Sequence, residues 1–212
     1  MRKALPFLLF VMVAAKVTAQ SGRRNINPPP PPPPVMEPPI YSQPERDPGP
    51  SASSGLRTLP DSLLKRPLKA LDQGSFRLAD FGGKVIVVNL WATWCGPCRM
   101  EVPDYEKIRK AYAGRAVEFI GLTTEDPRTS SERVKKFARD FNFGFRLGWA
   151  DRETAITLMN GRAVIPQTLV IAADGRIINH WHGYSRAQSS ERLRETIERA
   201  LSEVSPSAQK FQ

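Results

Sequence analysis

The sequence predicts an α/β domain in which helices cover both faces of a mixed central β-sheet. Three observations predict it: two consecutive strand–helix units, a later hairpin and a closing helix. The first strand is the nearly uninterrupted apolar run over residues 85–90, which suits a strand buried on both faces. A helical pattern follows over residues 98–113. Its predicted buried positions, at spacings of three and four, are Val102, Tyr105, Ile108 and Tyr112.

The remaining elements follow in chain order. Residues 117–123 predict a second strand, and Thr129-x-x-Glu132 has the form of a capping box that would begin the next helix. Residues 168–180 predict an antiparallel hairpin, and the last helix is predicted to start near Ser189. Shorter elements are predicted at three places: an edge strand within residues 71–78, a strand over residues 145–147, and a helix capped by Asp151.

The only two cysteines, Cys95 and Cys98, lie where the first strand gives way to its helix. A helix N-terminus carries partial positive charge and free backbone N–H groups, which stabilise a thiolate. A cysteine placed there can have its pKa lowered from about 8.5 to roughly 3.5–7.5. The two-residue spacing lets the second sulfur reach the first, so a disulfide could open and close with little backbone movement. The pattern therefore predicts a redox-active dithiol.

Two other uses of this cysteine pair are weaker. A zinc site needs two more Cys or His ligands at suitable spacing, and the only histidines are His180 and His182. These are predicted to be polar residues of an edge strand, so no metal site is expected. A purely structural disulfide would close a very short loop and would add little stability.

The motif Trp94-Cys-Gly-Pro-Cys98 resembles the active-site motif of the thioredoxin superfamily. The wider string over residues 89–103 most resembles the TlpA/ResA/DsbE group of exported thiol-disulfide oxidoreductases, and the resemblance covers about residues 66–202. It implies a thioredoxin fold in which Cys95 attacks a substrate disulfide and Cys98 resolves the mixed disulfide. No cofactor is implied beyond the Cys95–Cys98 disulfide itself.

The same resemblance implies a substrate-binding surface around the dithiol. Gly96 and Pro97 would shape the turn, and Trp94 would shield and border the site. Pro166 would be the cis-proline of the fold, since X-Pro bonds are the only ones in which cis is readily adopted. Its cis bond would turn the backbone of Ile165 toward the dithiol and offer an N–H and a C=O to an extended substrate. The alternative is an ordinary trans proline at the start of a strand.

Glu101 is the third predicted catalytic residue. It lies three positions after Cys98, on the same face of the helix. A partly buried carboxylate there could take the proton from Cys98 as that thiol becomes a nucleophile. Members of the TlpA/ResA group carry a glutamate at this place. The alternative is an acid in the first turn that only favours the helix dipole.

The N-terminal part of the chain predicts export. Residues 1–19 combine a positive start, an apolar run and a small-residue cleavage site, as in a secretory signal peptide. An uncleaved membrane anchor is the alternative. Residues 20–56 contain seven consecutive prolines (residues 28–34) and predict a disordered spacer rather than a ligand for a proline-binding domain. The thioredoxin-like domain, residues 57–204, would then lie outside the cytoplasm, in the periplasm, with residues 205–212 as a tail.

The formal net charge of +10 is spread along the chain without a dense basic tract, so no nucleic-acid site is predicted. A monomer is expected. The leading function is reduction of substrate disulfides, in apocytochrome c or in copper-site proteins, with electrons from a membrane partner of the DsbD/CcdA type. The alternatives are a disulfide oxidase or isomerase, and a copper-binding chaperone that uses Cys95, Cys98 and a histidine.

Overall fold

The computed structural model describes residues 58–204. The predicted signal peptide (1–19), proline-rich spacer (20–56) and C-terminal tail (205–212) lie outside the described residues and stay predictions. Along residues 58–204 no helix combines the length and apolar character needed to cross a membrane.

The helices and strands are α1 (Asp61–Leu64), β1 (Leu68–Lys69), β2 (Ser75–Phe76), a 3₁₀ helix (Leu78–Phe81), β3 (Val85–Trp91), α2 (Gly96–Ala111), β4 (Val117–Thr123), α3 (Pro127–Asp140), β5 (Arg146–Trp149), α4 (Arg152–Leu158), β6 (Gln167–Ile171), β7 (Ile177–His182) and α5 (Ser189–Val204).

The central sheet has five strands in the order β5-β4-β3-β6-β7. Strand β3 pairs parallel with β4 and antiparallel with β6, so the sheet is mixed, as predicted. Every residue of β3 is buried, which its uninterrupted apolar run requires. Strands β6 and β7 pair antiparallel and confirm the predicted hairpin.

Helices cover both faces of this sheet. Val85 and Val87 belong to an apolar cluster that includes Tyr105 of α2 and Leu193 of α5. The intervening residues of β3 point to the other face, because successive side chains of a strand alternate. There they join a second cluster, with residues of α1 and α4. The predicted α/β class with helices on both faces is therefore confirmed.

One local prediction is wrong. The helix predicted to begin at a Thr129 capping box begins at Pro127, because the Asp126 carboxylate accepts the N–H of Arg128 at 2.9 Å and proline starts a helix without losing a hydrogen bond. The edge strand predicted within residues 71–78 is present as the short strand β2, which pairs with β1 in a separate two-stranded sheet.

Candidate active site

The dithiol lies where the central strand β3 meets α2. Cys95 is the N-cap residue of α2, and its Sγ accepts the backbone N–H of Cys98 at 3.2 Å. Pro97 lies in the first helical turn, where a backbone N–H has no helical partner to lose. The strand therefore delivers Cys95 to the positive end of a 16-residue helix.

Cys95 and Cys98 form a disulfide. Cys95 is 3% exposed and Cys98 is fully buried, so a partner sulfur would meet Cys95 first. Both belong to an apolar cluster that contains Trp91 and Trp149, with Ile165 packed against it. A disulfide in such surroundings is shielded from bulk water.

The loop that leads to β6 is held close to this cluster. The Ile165–Pro166 bond is cis, as expected from the resemblance. The Gln167 side-chain amide donates to the carbonyls of Arg162 and Val164, both at 2.7 Å. His180 Nε2 lies 2.7 Å from the Gln167 Oε1 atom, so this histidine supports the loop.

Glu101 belongs to α2 and is buried between this helix and the sheet, with 1% of its surface exposed. Its Oε2 accepts Asn89 Nδ2 at 2.7 Å, and its Oε1 accepts the Thr168 hydroxyl at 3.5 Å. Asn89 and Thr168 face each other across β3 and β6. Among residues 58–204 no ion pair involves Glu101, and its burial raises the pKa to about 8 despite the hydrogen bonds, which lower it.

Trp94 and Gly96 border Cys95 on either side along the chain. Trp94 has 68% of its surface exposed, and its role as a shield of the disulfide stays a prediction. A Cβ atom added to Gly96 would meet nothing within 4 Å, so open space lies beside the Gly96 Cα atom. An open groove of about 550 Å³ runs beside Trp94. Its lining residues are Thr93, Trp94, Arg99, Arg133, Lys136, Phe137 and Asp140.

Three charged residues beside the dithiol, Arg99, Glu125 and Arg133, were not found by sequence reasoning. Each contacts Thr93, two residues before Cys95. Burial alone would raise the Glu125 pKa, but hydrogen bonds from Arg133 and from the Thr93 N–H lower it overall. Among residues 58–204 no group of three or more His, Cys, Asp or Glu residues is arranged to hold a metal ion.

A thioredoxin fold with a disulfide at the start of α2 and a cis-proline loop packed beside it defines a thiol-disulfide oxidoreductase. More particularly, the chain belongs to the Redoxin family, whose model matches residues 45–195. It is similar to the thiol-disulfide oxidoreductase ResA of Geobacillus kaustophilus, with 29% identity over 149 residues that cover 70% of this chain and 77% of the relative. ResA of Oceanobacillus iheyensis is 35% identical over 118 residues, 56% of this chain and 59% of that protein.

Solved structures share the fold. A thiol:disulfide interchange protein of the thioredoxin family from Chlorobium tepidum matches with a TM-score of 0.58 and 26% identity, over 68% of this chain and 97% of the other. A secreted Mycobacterium tuberculosis disulfide oxidoreductase homologous to E. coli DsbE matches with a TM-score of 0.55 and 22% identity, over 66% and 99%. The second likeness concerns the fold alone.

Proposed function

We propose that the chain is a reductase of protein disulfides that works outside the cytoplasm through Cys95 and Cys98. The observation that carries disulfide exchange through this pair is the place of Cys95, whose Sγ caps α2 and accepts the Cys98 N–H. The resemblance to the TlpA/ResA/DsbE group supports reduction as the direction of the exchange. Once the disulfide is reduced, that N–H and the helix dipole favour the thiolate of Cys95 over its thiol. A thiolate with a lowered pKa is the form that attacks a disulfide at neutral pH.

The reaction would proceed in two exchanges. The Cys95 thiolate attacks one substrate sulfur, the substrate disulfide breaks, and the second substrate sulfur leaves as a thiolate. Cys98 then loses its proton and attacks Cys95 in the mixed disulfide. The Cys95–Cys98 disulfide forms, the substrate leaves as a dithiol after taking up protons, and two electrons have passed to it.

Glu101 would accept the proton of Cys98. Cys98 is fully buried, so water is a poor acceptor for its proton. Glu101 lies one helical turn further along α2, and its pKa of about 8 is close to the operating pH, where a general base is effective. Asn89 would orient this carboxylate through its short hydrogen bond.

Substrates would dock between the cis-proline loop and Trp94. Among residues 58–204 the backbone N–H and C=O of Ile165 form no hydrogen bond, which leaves both groups for an extended substrate segment beside Pro166. The resemblance to the TlpA/ResA/DsbE group supports oxidised cysteines of apocytochrome c or of copper-site proteins as substrates. It also supports a DsbD/CcdA-type membrane protein as the electron donor.

The reduction potential of the Cys95–Cys98 pair tests the direction of the reaction. A value near that of thioredoxin, about −270 mV, is expected for a reductase, whereas a value near about −120 mV would make the protein an oxidase. Trapping tests the roles of the two cysteines. A Cys98→Ala variant should hold substrate as a mixed disulfide, and equal trapping by Cys95→Ala would reverse the assignment.

A further inference from the structure

Thr93 is bound through all three of its polar groups by charged side chains. Its N–H donates to Glu125 Oε1 at 2.6 Å, and its carbonyl accepts Arg99 at 2.8 Å from one terminal nitrogen and 3.3 Å from Nε. Its hydroxyl accepts Arg133 Nε at 2.9 Å. Arg133 also donates to Glu125 Oε2, so the contacts form one connected network, which we call the Thr93 clamp.

Tertiary structure assembles this clamp from four parts of the chain: the segments that follow β3 and β4, and the helices α2 and α3. Parallel pairing of β3 with β4 sets Trp91 opposite Thr123, so the segments after both strands leave the sheet together, and Glu125 follows Thr123 as Thr93 follows Trp91. Phe137 of α3 stacks on Trp91 with ring centroids 5.1 Å apart, one helical turn from Arg133. That stack holds α3 against the end of β3, so that Arg133 lies within reach of Thr93.

The clamp differs from an ordinary surface ion pair. The Arg133 side chain is 59% exposed, but the Glu125 side chain is only 4% exposed, and a buried carboxylate must be fully hydrogen-bonded to remain charged. By contrast, the neighbouring pair of Arg128 and Asp126 is exposed at 87% and 41%, and among residues 58–204 neither side chain forms a hydrogen bond with residues 92–97. Exposed pairs of this kind contribute little to stability or geometry.

We propose that Glu125, Arg133 and Arg99 are positioning residues that hold the segment before Cys95 while the disulfide opens and closes. This inference rests on the proposed function. When the disulfide is reduced, Cys95 loses its covalent link to α2 and only the backbone keeps its Sγ against the Cys98 N–H. The clamp fixes that backbone two residues upstream, so it preserves the contact that stabilises the thiolate.

The test replaces Arg133 with lysine in the full-length reduced protein. Arg133→Lys keeps the charge near Cys95 but removes the rigid fork that joins Thr93 to Glu125. We expect the pH profile of Cys95 alkylation to move upward. The rate at a pH below the Cys95 pKa should fall about 3- to 10-fold, because the thiolate fraction falls tenfold for each unit of pKa. Arg128→Lys, the matched control on the same helix, should alkylate as the wild type does.

A double-mutant cycle tests whether the residues act together. If the clamp is one unit, Arg133→Lys combined with Glu125→Gln should slow alkylation no more than the slower single variant. Glu125→Gln also separates positioning from simple electrostatics. Loss of a nearby negative charge would speed alkylation through space, whereas loss of the clamp slows it.

Two results would contradict the positioning role proposed for the Thr93 clamp. One is an alkylation profile of Arg133→Lys that matches the wild type and Arg128→Lys, and the other is faster alkylation of Glu125→Gln. Either result leaves the proposed function standing if Cys95 still alkylates much faster than Cys98 in the wild type. Equal rates at the two cysteines in the wild type would instead remove the proposed function. Thermal unfolding of each variant checks that it folds. If Arg133→Lys does not fold, the alkylation test is made with Glu125→Gln instead.

Discussion

Two buried glutamates lie near the dithiol, and their pKa values are shifted in opposite directions. Glu101 lies on the buried face of α2, 1% exposed, with only neutral donors around it, and its pKa is raised to about 8. Glu125 lies beside the segment before Cys95 with its side chain 4% exposed, and its Arg133 partner helps hold its pKa below the usual value.

The difference shows that, when two carboxyl groups are both buried, a charged partner decides which of them stays charged. Burial is the largest influence on both groups and opposes the charged form of both. Only Glu125 has a guanidinium that offsets it. Glu101 is therefore suited to exchange a proton near neutral pH, and Glu125 is suited to stay charged and hold its neighbours.

The largest expected effect concerns proton transfer at Glu101. Glu101→Gln keeps the size of the side chain and removes the base, so the attack by Cys95 should change little. Resolution of the mixed disulfide should slow by about 10²–10⁴-fold, the range of general acid–base catalysis. Rapid quenching with gel separation would measure the mixed disulfide, and Glu106→Gln, a buried acid farther along α2, is the control. Turnover of Glu101→Gln at the wild-type rate would contradict the role of Glu101 as a base and would leave it only the role of an acid that favours the helix dipole.

The next effect is on stability, and its sign follows from the raised pKa of Glu101. The fold binds this proton more tightly than the unfolded chain, whose pKa is near 4.5. The stability that Glu101 contributes is therefore fully present below about pH 4.5 and is lost as pH rises through about 8. Urea titrations of the oxidised protein would measure the free energy of unfolding of Glu101→Gln and of the wild type. The difference between them should change by about 2–5 kcal/mol in favour of Glu101→Gln as pH rises from 5 to 8.5. A constant difference across that interval would contradict the raised pKa.

A smaller change is expected from the neutral donors around Glu101. Asn89→Leu removes the 2.7 Å hydrogen bond that favours the charged carboxylate, so the Glu101 pKa should rise further. The pH midpoint of mixed-disulfide resolution should move up by roughly one unit. Thr168→Val removes a longer contact of 3.5 Å and should move that midpoint less. The reverse order would show that Thr168 is the main donor.

The smallest effect is expected at Glu125, and it is expected at neutral pH but not in acid. Its pKa is lowered in the fold, so it stabilises the protein above the unfolded value of about 4.5 and ceases to do so as pH falls through the folded pKa. Glu125→Gln should cost about 1–2 kcal/mol in the free energy of unfolding at pH 7. Urea titrations should show that cost disappearing toward acid pH. A cost that persists there would mean that Glu125 acts through packing alone.

The parts of the site that the sequence predicted depend on signals a few residues long. The apolar run over residues 85–90 predicted the buried strand, and the spacing of Cys95 and Cys98 predicted a dithiol at a helix start. The cis-proline at Pro166 was predicted through the resemblance. The Thr129 capping box was wrong because Asp126 and Pro127 offered a stronger local start three residues earlier.

The sequence by itself determined the strands of the central sheet, its long helices apart from the start of α3, and the place of the dithiol, because periodicity and capping act between near neighbours in the chain. Only the tertiary structure decided what surrounds the sulfurs. Glu125 meets Thr93 across 32 residues, and Arg133 meets it across 40, because two parallel strands end side by side and α3 folds back over them. Likewise, the pKa of Glu101 depends on how completely the sheet and α2 exclude water, which no spacing of residues records.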